Sequence, residues 1–200
     1  MERTIIENSV AKKLEGTAKG WILFADDFLD IGSRESINKA LFRLKEKGVL
    51  IRLAFGIYLY PKTDKELGIL YPATEDVAAA IAKRDHARII PTGIQALNKL
   101  GLSTQVPLKA VFLTDGASRS IRVGKRTITF KRTGPKNLLV KGELSGLVIQ
   151  ALKTIGKKNI DKSTVEKIKA ILKREKKVTL INDAKLAPAW IHKILMSAIK

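Results

Sequence analysis

A short stretch of the chain, residues 34–39, groups side chains that match the hydrogen-bonding edges of nucleic-acid bases. Arg and Lys donate to guanine acceptors or to phosphate, and Asn pairs in bidentate fashion with adenine. Further cations follow, where phosphates are the nearer target. The alternative is a solvated helix face or a surface that pairs with another protein. The predicted DNA-binding set is Arg34, Ser36, Asn38, Lys39, Arg43, Lys45, Lys47 and Arg52.

A second group of cations lies on a predicted β-hairpin downstream. Strand alternation places Ile128 and Phe130 inward and Arg122 outward, which predicts one apolar and one cationic face. Such a face suits nucleic acid bound without sequence preference, or an acidic partner. A solvated sheet face whose charges block edge pairing fits the pattern equally well. This possible second basic surface consists of Arg119, Arg122, Lys125, Arg126, Lys131 and Arg132.

The residue types that support catalysis or metal binding form no recognisable site. The chain has no cysteine, and its two histidines, His86 and His192, are far apart in sequence. The one tight carboxylate cluster, Asp26, Asp27 and Asp30, is better interpreted as the solvated side of a short helix. No phosphate-binding loop, nucleophile elbow or nuclease-type carboxylate pair is present. We therefore expect no catalytic residue, no metal and no cofactor.

The charge balance favours a polyanionic partner. Thirty-eight Lys and Arg against nineteen Asp and Glu give a formal charge of +19. Neutralised phosphates release counterions, which provides affinity independent of sequence. Residues 1–70 contain twelve basic and ten acidic side chains, a net of +2, so the rest of the chain contributes +17. With no secretory signal and no apolar run of membrane-spanning length, we expect a cytoplasmic protein without a membrane partner.

The basic stretch around residues 34–47 must be positioned by a small domain, and its flanking pattern predicts a winged helix-turn-helix over residues 1–64. A helix over 4–14 and a short helix over 25–29 precede it. Ser33 is a suitable N-cap, and Ile37, Ala40, Leu41 and Leu44 form one buried stripe. Gly48 is placed to end this helix. The β-rich runs 49–53 and 56–60 then predict the wing.

Residues 65–200 predict a mixed α/β domain with a β-hairpin and C-terminal helices, so the fold class is α+β. Helices are expected over 74–84, over 92–100 with Thr92 as cap, and over 143–155. A strand is expected over 108–114, and a hairpin turns at Gly124-Lys125. Ser163 and Glu166 have the spacing of a capping box, and a last helix is expected from about Pro188.

Seven sequence blocks are spread through much of the chain. Three lie in the predicted winged helix: SRESINKAL at 33–41, GVL at 48–50 and GIYLYPK at 56–62. Four lie downstream: PTGIQALN at 91–98, LGLSTQVP at 100–107, FLTDG at 112–116 and ITFK at 128–131. In this combination the chain resembles the AbiEi-type antitoxins of bacterial type IV toxin–antitoxin (abortive-infection) systems.

The resemblance implies a protein of two parts. The N-terminal domain would bind inverted repeats in the promoter of its own operon and repress transcription, using the basic residues of the recognition helix and wing. The C-terminal domain would neutralise a nucleotidyltransferase-like toxin, without needing a stable complex with it. Two alternatives stay open: an RNA-binding protein that uses the basic C-terminal domain, and a general winged-helix transcriptional regulator.

Overall fold

The computed structural model describes residues 2–105 and 109–199. Its architecture is mixed α+β, as predicted, and it divides into two compact units. The first comprises Met1–Arg84 with Arg122–Lys125, and the second Asp85–Ile121 with Arg126–Lys200. The predicted strand start at Leu108 and the last two residues of the 100–107 block lie outside the described residues. Within the described ranges, no helix is long and apolar enough to cross a membrane.

The first unit opens with two helices that pack against each other, separated by a short strand and a 3-10 turn. Val10 of the first helix joins Ile37 and Leu41 of the second in a buried apolar cluster. The buried stripe predicted for the second helix is confirmed at all of its positions. The elements are α1 (Glu2–Glu15), β1 (Ile22–Leu23), the 3-10 turn (Ala25–Phe28), α2 (Arg34–Glu46), β2 (Ile51–Ala54) and β3 (Ile57–Leu59).

Strands β1, β2 and β3 form an antiparallel sheet with β3 in the centre. Ile51 of β2 lies opposite Leu59 of β3, and the predicted tight turn joins the two strands. Gly56 in this turn has φ +69°, a conformation that costs a residue with a Cβ about 1 kcal/mol or more. The two runs predicted as β-rich are therefore a hairpin that follows directly on α2.

A second hairpin follows where the sequence predicts a domain boundary, between residues 64 and 65. Strand β4 (Lys62–Asp64) pairs with β5 (Gly68–Leu70). The Asp64 carboxylate accepts hydrogen bonds from the backbone amides of Glu66 and Leu67 at 2.9 and 3.0 Å. Helix α3 (Thr74–Arg84) contacts β1, and the main segment of the first unit therefore runs on to Arg84.

Strands of the second unit form a four-stranded sheet in the order β6-β7-β9-β8, of which the hairpin tip 122–125 is assigned to the first unit. Strand β7 runs parallel to β9 and antiparallel to β6, which the sequence pattern did not reveal. The rings of Phe112 and Phe130 stack at 6.0 Å across β7 and β9. The predicted hairpin is present, with Gly124 at φ +58° in its turn. The strands are β6 (Ile89–Pro91), β7 (Lys109–Thr114), β8 (Arg119–Val123) and β9 (Arg126–Arg132).

The helices of the second unit build its apolar core around α6. Val148 and Leu152 of α6 are fully buried and pack with Ile168 of α7 and with Ile191 and Leu195 of α9. This explains the amphipathic pattern that predicted α6 from the sequence. The helices are α4 (Ile94–Lys99), α5 (Pro135–Leu138), α6 (Glu143–Ile155), α7 (Lys162–Leu172), α8 (Lys177–Ala184) and α9 (Ala189–Ser197).

Two predicted helix caps are wrong. Thr92 does not cap α4, because the helix begins at Ile94 and the Thr92 hydroxyl donates to the Val111 carbonyl at 3.2 Å. Ser163 does not cap α7, because Asp161 does: its carboxylate accepts from the Thr164 amide at 2.6 Å. For Thr92 the hydroxyl is taken up by a tertiary contact with β7. For Ser163 the N-cap position is occupied by Asp161 instead.

The first turn of α6 is capped by carboxylates from distant parts of the chain. Asp183 of α8, 1% exposed, accepts from the backbone amides of Lys141 and Gly142 at 3.0 and 2.8 Å and from the Ser145 hydroxyl at 2.5 Å. Glu175 accepts from the Leu144 amide at 3.0 Å. Helix N-termini leave amides without helical partners, and negative charge is favourable there. This network therefore ties α6 to the segment 175–183.

Candidate nucleic-acid interface

Helix α2 is fixed at both ends by residues the sequence identified. The Ser33 hydroxyl accepts from the Ser36 amide at 3.3 Å and donates to the Ser36 hydroxyl at 3.0 Å. At the other end Gly48 has φ +73°, which permits the chain to turn away after Lys47. Ser36, predicted to contact bases, is thus hydrogen-bonded in the cap and only half-exposed.

The face of α2 opposite its buried stripe is open to solvent. Arg34, Asn38 and Lys39 are exposed, and the Phe42 ring is 50% exposed. A shallow surface depression on this face is lined by Glu35, Asn38, Lys39, Phe42 and Arg43. Three residues of the predicted DNA-binding set, Asn38, Lys39 and Arg43, therefore line one continuous surface of one helix.

The cations on this surface are held by carboxylates of the first unit. The Lys39 ammonium lies 2.5 Å from Glu35, one helical turn away, and this contact holds the pKa of Glu35 below its ordinary value. Arg34 pairs with Asp26 of the 3-10 turn, and Lys45 pairs with Glu46 at 2.6 Å. Each of these cations is thus charge-compensated, and exposed pairs of this kind are weak enough to exchange for phosphate.

Glu7 of α1 is the acidic residue that the sequence interpretation missed. It is 6% exposed, and its carboxylate pairs with Lys47 and lies 3.7 Å from the Arg43 guanidinium. A signal was present, since Glu7, Val10 and Leu14 lie at i, i+3 and i+7 and so share a helix face. Arg43 and Lys47, predicted to contact phosphates, are therefore oriented by a buried charge on the neighbouring helix.

Arg52, which the sequence predicts to lie in a wing, is exposed on β2. Its Nε donates to the Ala54 carbonyl at 3.3 Å, and its guanidinium lies 5.1 Å from the centre of the Phe55 ring. Phe55 is 92% exposed at the turn between β2 and β3. An apolar ring at the tip with a cation beside it is suited to contact with a nucleic-acid groove.

The six cations of the predicted second basic surface are not on one strand face. Alternation places Arg119, Arg126 and Arg132 on the same side of their strands as the buried Ile128 and Phe130. Arg119 pairs with Asp85, and its guanidinium lies 5.5 Å from the Phe130 ring. Arg122 and Lys131 project to the other side, and Lys125 occupies the turn. The predicted inward and outward positions of Ile128, Phe130 and Arg122 are therefore confirmed, but the six cations do not share one face.

Eight further exposed cations lie in the C-terminal segment 157–177, and the sequence interpretation did not single them out. None of them forms an ion pair with a carboxylate in the described part of the chain. The run KREKK at 173–177 was the available signal. We call this set the C-terminal basic surface: Lys157, Lys158, Lys162, Lys167, Lys173, Arg174, Lys176 and Lys177.

Three of the residues considered for catalysis, Asp27, Asp30 and His192, have structural contacts. Asp27 accepts from the Phe24 amide at 2.8 Å, and Asp30 pairs with Lys13 at 2.8 Å, which holds the pKa of Asp30 below its ordinary value. The His192 ring nitrogen lies 2.9 Å from the Ala184 carbonyl. Over residues 2–105 and 109–199 we find no group of three or more His, Asp or Glu placed to hold a metal ion.

These elements define an α+β protein whose first unit exposes a capped helix with a polar and cationic face. The chain belongs to DUF6088, a family of unknown function whose sequence model matches residues 9–180. No curated protein matches it. Among solved structures it is similar to the RV2827C protein from Mycobacterium tuberculosis, with 12% sequence identity, a TM-score of 0.48, and coverage of 96% of this chain and 81% of that chain.

Proposed function

We propose that the first unit is a winged helix-turn-helix and that the protein is a DNA-binding transcriptional regulator. The carrying observation is helix α2: its apolar stripe is buried and its opposite face presents Arg34, Asn38 and Lys39 to solvent. The 3-10 turn before α2 and the β2–β3 hairpin after it have the order expected of this motif, in which the second helix enters the major groove. The hairpin then acts as the wing.

We further propose that the DNA is the promoter of the protein's own operon and that the second unit neutralises a nucleotidyltransferase-like toxin, without a stable complex. The support is the resemblance of the sequence blocks to AbiEi-type antitoxins. A regulator of the same motif that controls other genes would bind its promoter but would not protect a cell from such a toxin. Co-expression with the product of a neighbouring nucleotidyltransferase-like gene separates these two roles.

The DNA-binding part is tested by comparing affinity for the upstream promoter duplex, a scrambled duplex and a structured RNA at physiological salt. The parent protein should prefer the promoter duplex. Lys39→Ala should weaken that binding by roughly tenfold, as expected for loss of a cation at the DNA surface. The matched control is Lys65→Ala, an exposed lysine in the turn between β4 and β5. Equal affinity for all three nucleic acids would contradict the proposal.

An RNA-binding protein is the second candidate function, and the C-terminal basic surface favours it. Its eight exposed cations lack carboxylate partners among the described residues, whereas those on α2 are paired. Phosphate recognition of structured RNA depends on such cations. A variant with Lys173, Arg174, Lys176 and Lys177 changed to Ala should then lose RNA binding, and Lys39→Ala should not. If the four changes leave RNA affinity unaltered, this candidate is wrong.

A further inference from the structure

The exposed face of α2 contains two kinds of side chain. The cations Arg34 and Lys39 are engaged with carboxylates, as described above. The side chain of Asn38 forms no hydrogen bond within the described residues, so the donors and the acceptor of its amide are available. Phe42 lies one helical turn further along and is half-exposed, and the Lys45 ammonium lies 5.9 Å from the centre of its ring.

The exposed ring of Phe42 leaves apolar surface in water that a ligand could cover. The apolar ring loses the benefit of burial, about 25 cal/mol for each Å² left in water. In a DNA major groove Asn38 and Phe42 have direct partners: an asparagine amide bonds the N6 and N7 atoms of adenine, and an apolar side chain contacts the thymine methyl group. Guanine and cytosine offer no methyl group and a different donor pattern.

We propose that Asn38 and Phe42 are the residues that choose the DNA sequence, reading an adenine and a nearby thymine, while the paired cations of α2 bind phosphate. This assignment rests on the proposed function and adds the base identities. Four residues of helix span about 6 Å, and stacked base pairs are about 3.4 Å apart. The adenine and the thymine therefore lie within about two base pairs of each other.

The different roles of these side chains follow from the contacts that each one loses when DNA binds. Arg34 and Lys39 exchange a carboxylate for a phosphate, which is a like-for-like contact that carries no base information. Asn38 and Phe42 lose only contacts with water when DNA binds. A wrong base therefore leaves the amide without a hydrogen-bond partner or the ring without an apolar contact. Selectivity for A·T pairs at the contacted step is the expected result, with phosphate contacts setting position.

The test begins by selecting bound sequences from a randomised duplex library with the full-length protein. Each adenine of the selected site is then replaced with 7-deazaadenine, and each thymine with uracil. At one adenine, loss of N7 should weaken binding about five- to tenfold. At one thymine, loss of the methyl group should weaken it about fourfold.

The crossed variants make the assignment specific. Asn38→Ala should abolish the effect of 7-deazaadenine and keep that of uracil, and Phe42→Ala should do the reverse. Leu29→Ala is the matched control, because Leu29 is also 50% exposed and lies outside α2. Unfolding midpoints of all variants verify that they fold.

The possible failures are distinguishable. If the parent selects a site but the analogue effects are unchanged in both variants, or the site has no A·T pair that responds, the assignment to Asn38 and Phe42 is overturned and the proposed function stands. If the parent selects no duplex sequence over random duplex, the proposed function fails and the assignment fails with it.

Discussion

Glu7 and Lys47 are hydrogen-bonded to each other although 40 positions of chain separate them. The pair connects the buried face of α1 to Lys47, the residue that caps the C-terminal end of α2, and Arg43 shares the same carboxylate. The carboxylate is 8% exposed, whereas the side chains of Arg43 and Lys47 are 38% and 65% exposed. The buried partner of this cluster is therefore the acid, which makes its energetics asymmetric.

This asymmetry predicts that removing the two cations lowers the free energy of unfolding by more than removing the acid does. The double variant Arg43→Ala, Lys47→Ala leaves a buried carboxylate unpaired and should lower the free energy of unfolding by about 3–5 kcal/mol. Glu7→Gln leaves only cations that reach water and should cost about 1 kcal/mol. Denaturant unfolding measures both. Adding Glu7→Gln to the double variant should recover much of the loss, and no recovery would contradict the asymmetry.

Glu35 restrains Lys39 on the exposed face of α2, so Glu35→Gln should strengthen promoter binding. The change removes a negative charge from the DNA surface and releases the ammonium, for a gain of about two- to fivefold. The gain should shrink as salt is raised. Glu166→Gln is the matched control, since it removes a carboxylate paired with Lys169 at 2.8 Å on α7. Weaker binding by the Glu35 variant would show that the pair positions Lys39 rather than restraining it.

Gly142 has no room for a side chain at the start of α6. A Cβ there would lie 2.6 Å from a Glu175 carboxylate oxygen and closer still to the Ser145 hydroxyl. Gly142→Ala should therefore lower the free energy of unfolding by about 1–3 kcal/mol. Gly134→Ala is the control, because Gly134 has φ −67° and nothing within 4 Å of an added Cβ. Similar losses in thermal stability for the two variants would refute the crowding argument.

Asp115 is expected to contribute to the dependence of the unfolding free energy on pH in the acid range. Its carboxylate accepts from the Arg88 side chain at 2.8 Å and from the Arg88 amide at 2.7 Å, and these bonds hold its pKa below the ordinary value. A depressed folded-state pKa gives stability that is fully present above about pH 4 and is lost as the pH falls through the folded pKa. Asp115→Asn should flatten the dependence of unfolding free energy on pH below about 4. Arg88→Ala should flatten it too, and an unchanged slope in both variants would contradict this.

Local signals in the sequence were sufficient for much of the first unit. The Ser33 cap, the stripe containing Ile37 and Leu41, and the glycine after Lys47 act within one or two turns, so they are readable without tertiary information. The hairpin turn at Gly124 is of the same kind. The expected base-facing and phosphate-facing positions follow from the same periodicity, and their role in DNA binding stays a prediction.

What the sequence did not reveal depends on partners that are distant in the chain. Strand β6 is three residues long, contains Pro91 and is recognisable only beside β7. Two carboxylates that pair with cations of helix α2 come from outside it, Glu7 from α1 and Asp26 from the 3-10 turn. Thr92 is a suitable cap residue by local criteria, but its hydroxyl donates to the Val111 carbonyl of β7 instead of capping α4. Local helix propensity is a weak predictor where such tertiary contacts compete with it.

The capping of α6 by Asp183 has a consequence for how the chain may be shortened. The family sequence model ends at residue 180, before this aspartate, while the amides that it accepts from are at Lys141 and Gly142. A protein truncated at that limit would keep α6 and lose its buried acceptor, and it would also lose Ile191 and Leu195 from the core. Limited proteolysis that trims the C-terminus should therefore loosen the second unit as a whole, so the smallest stable version of this unit extends beyond the family limit.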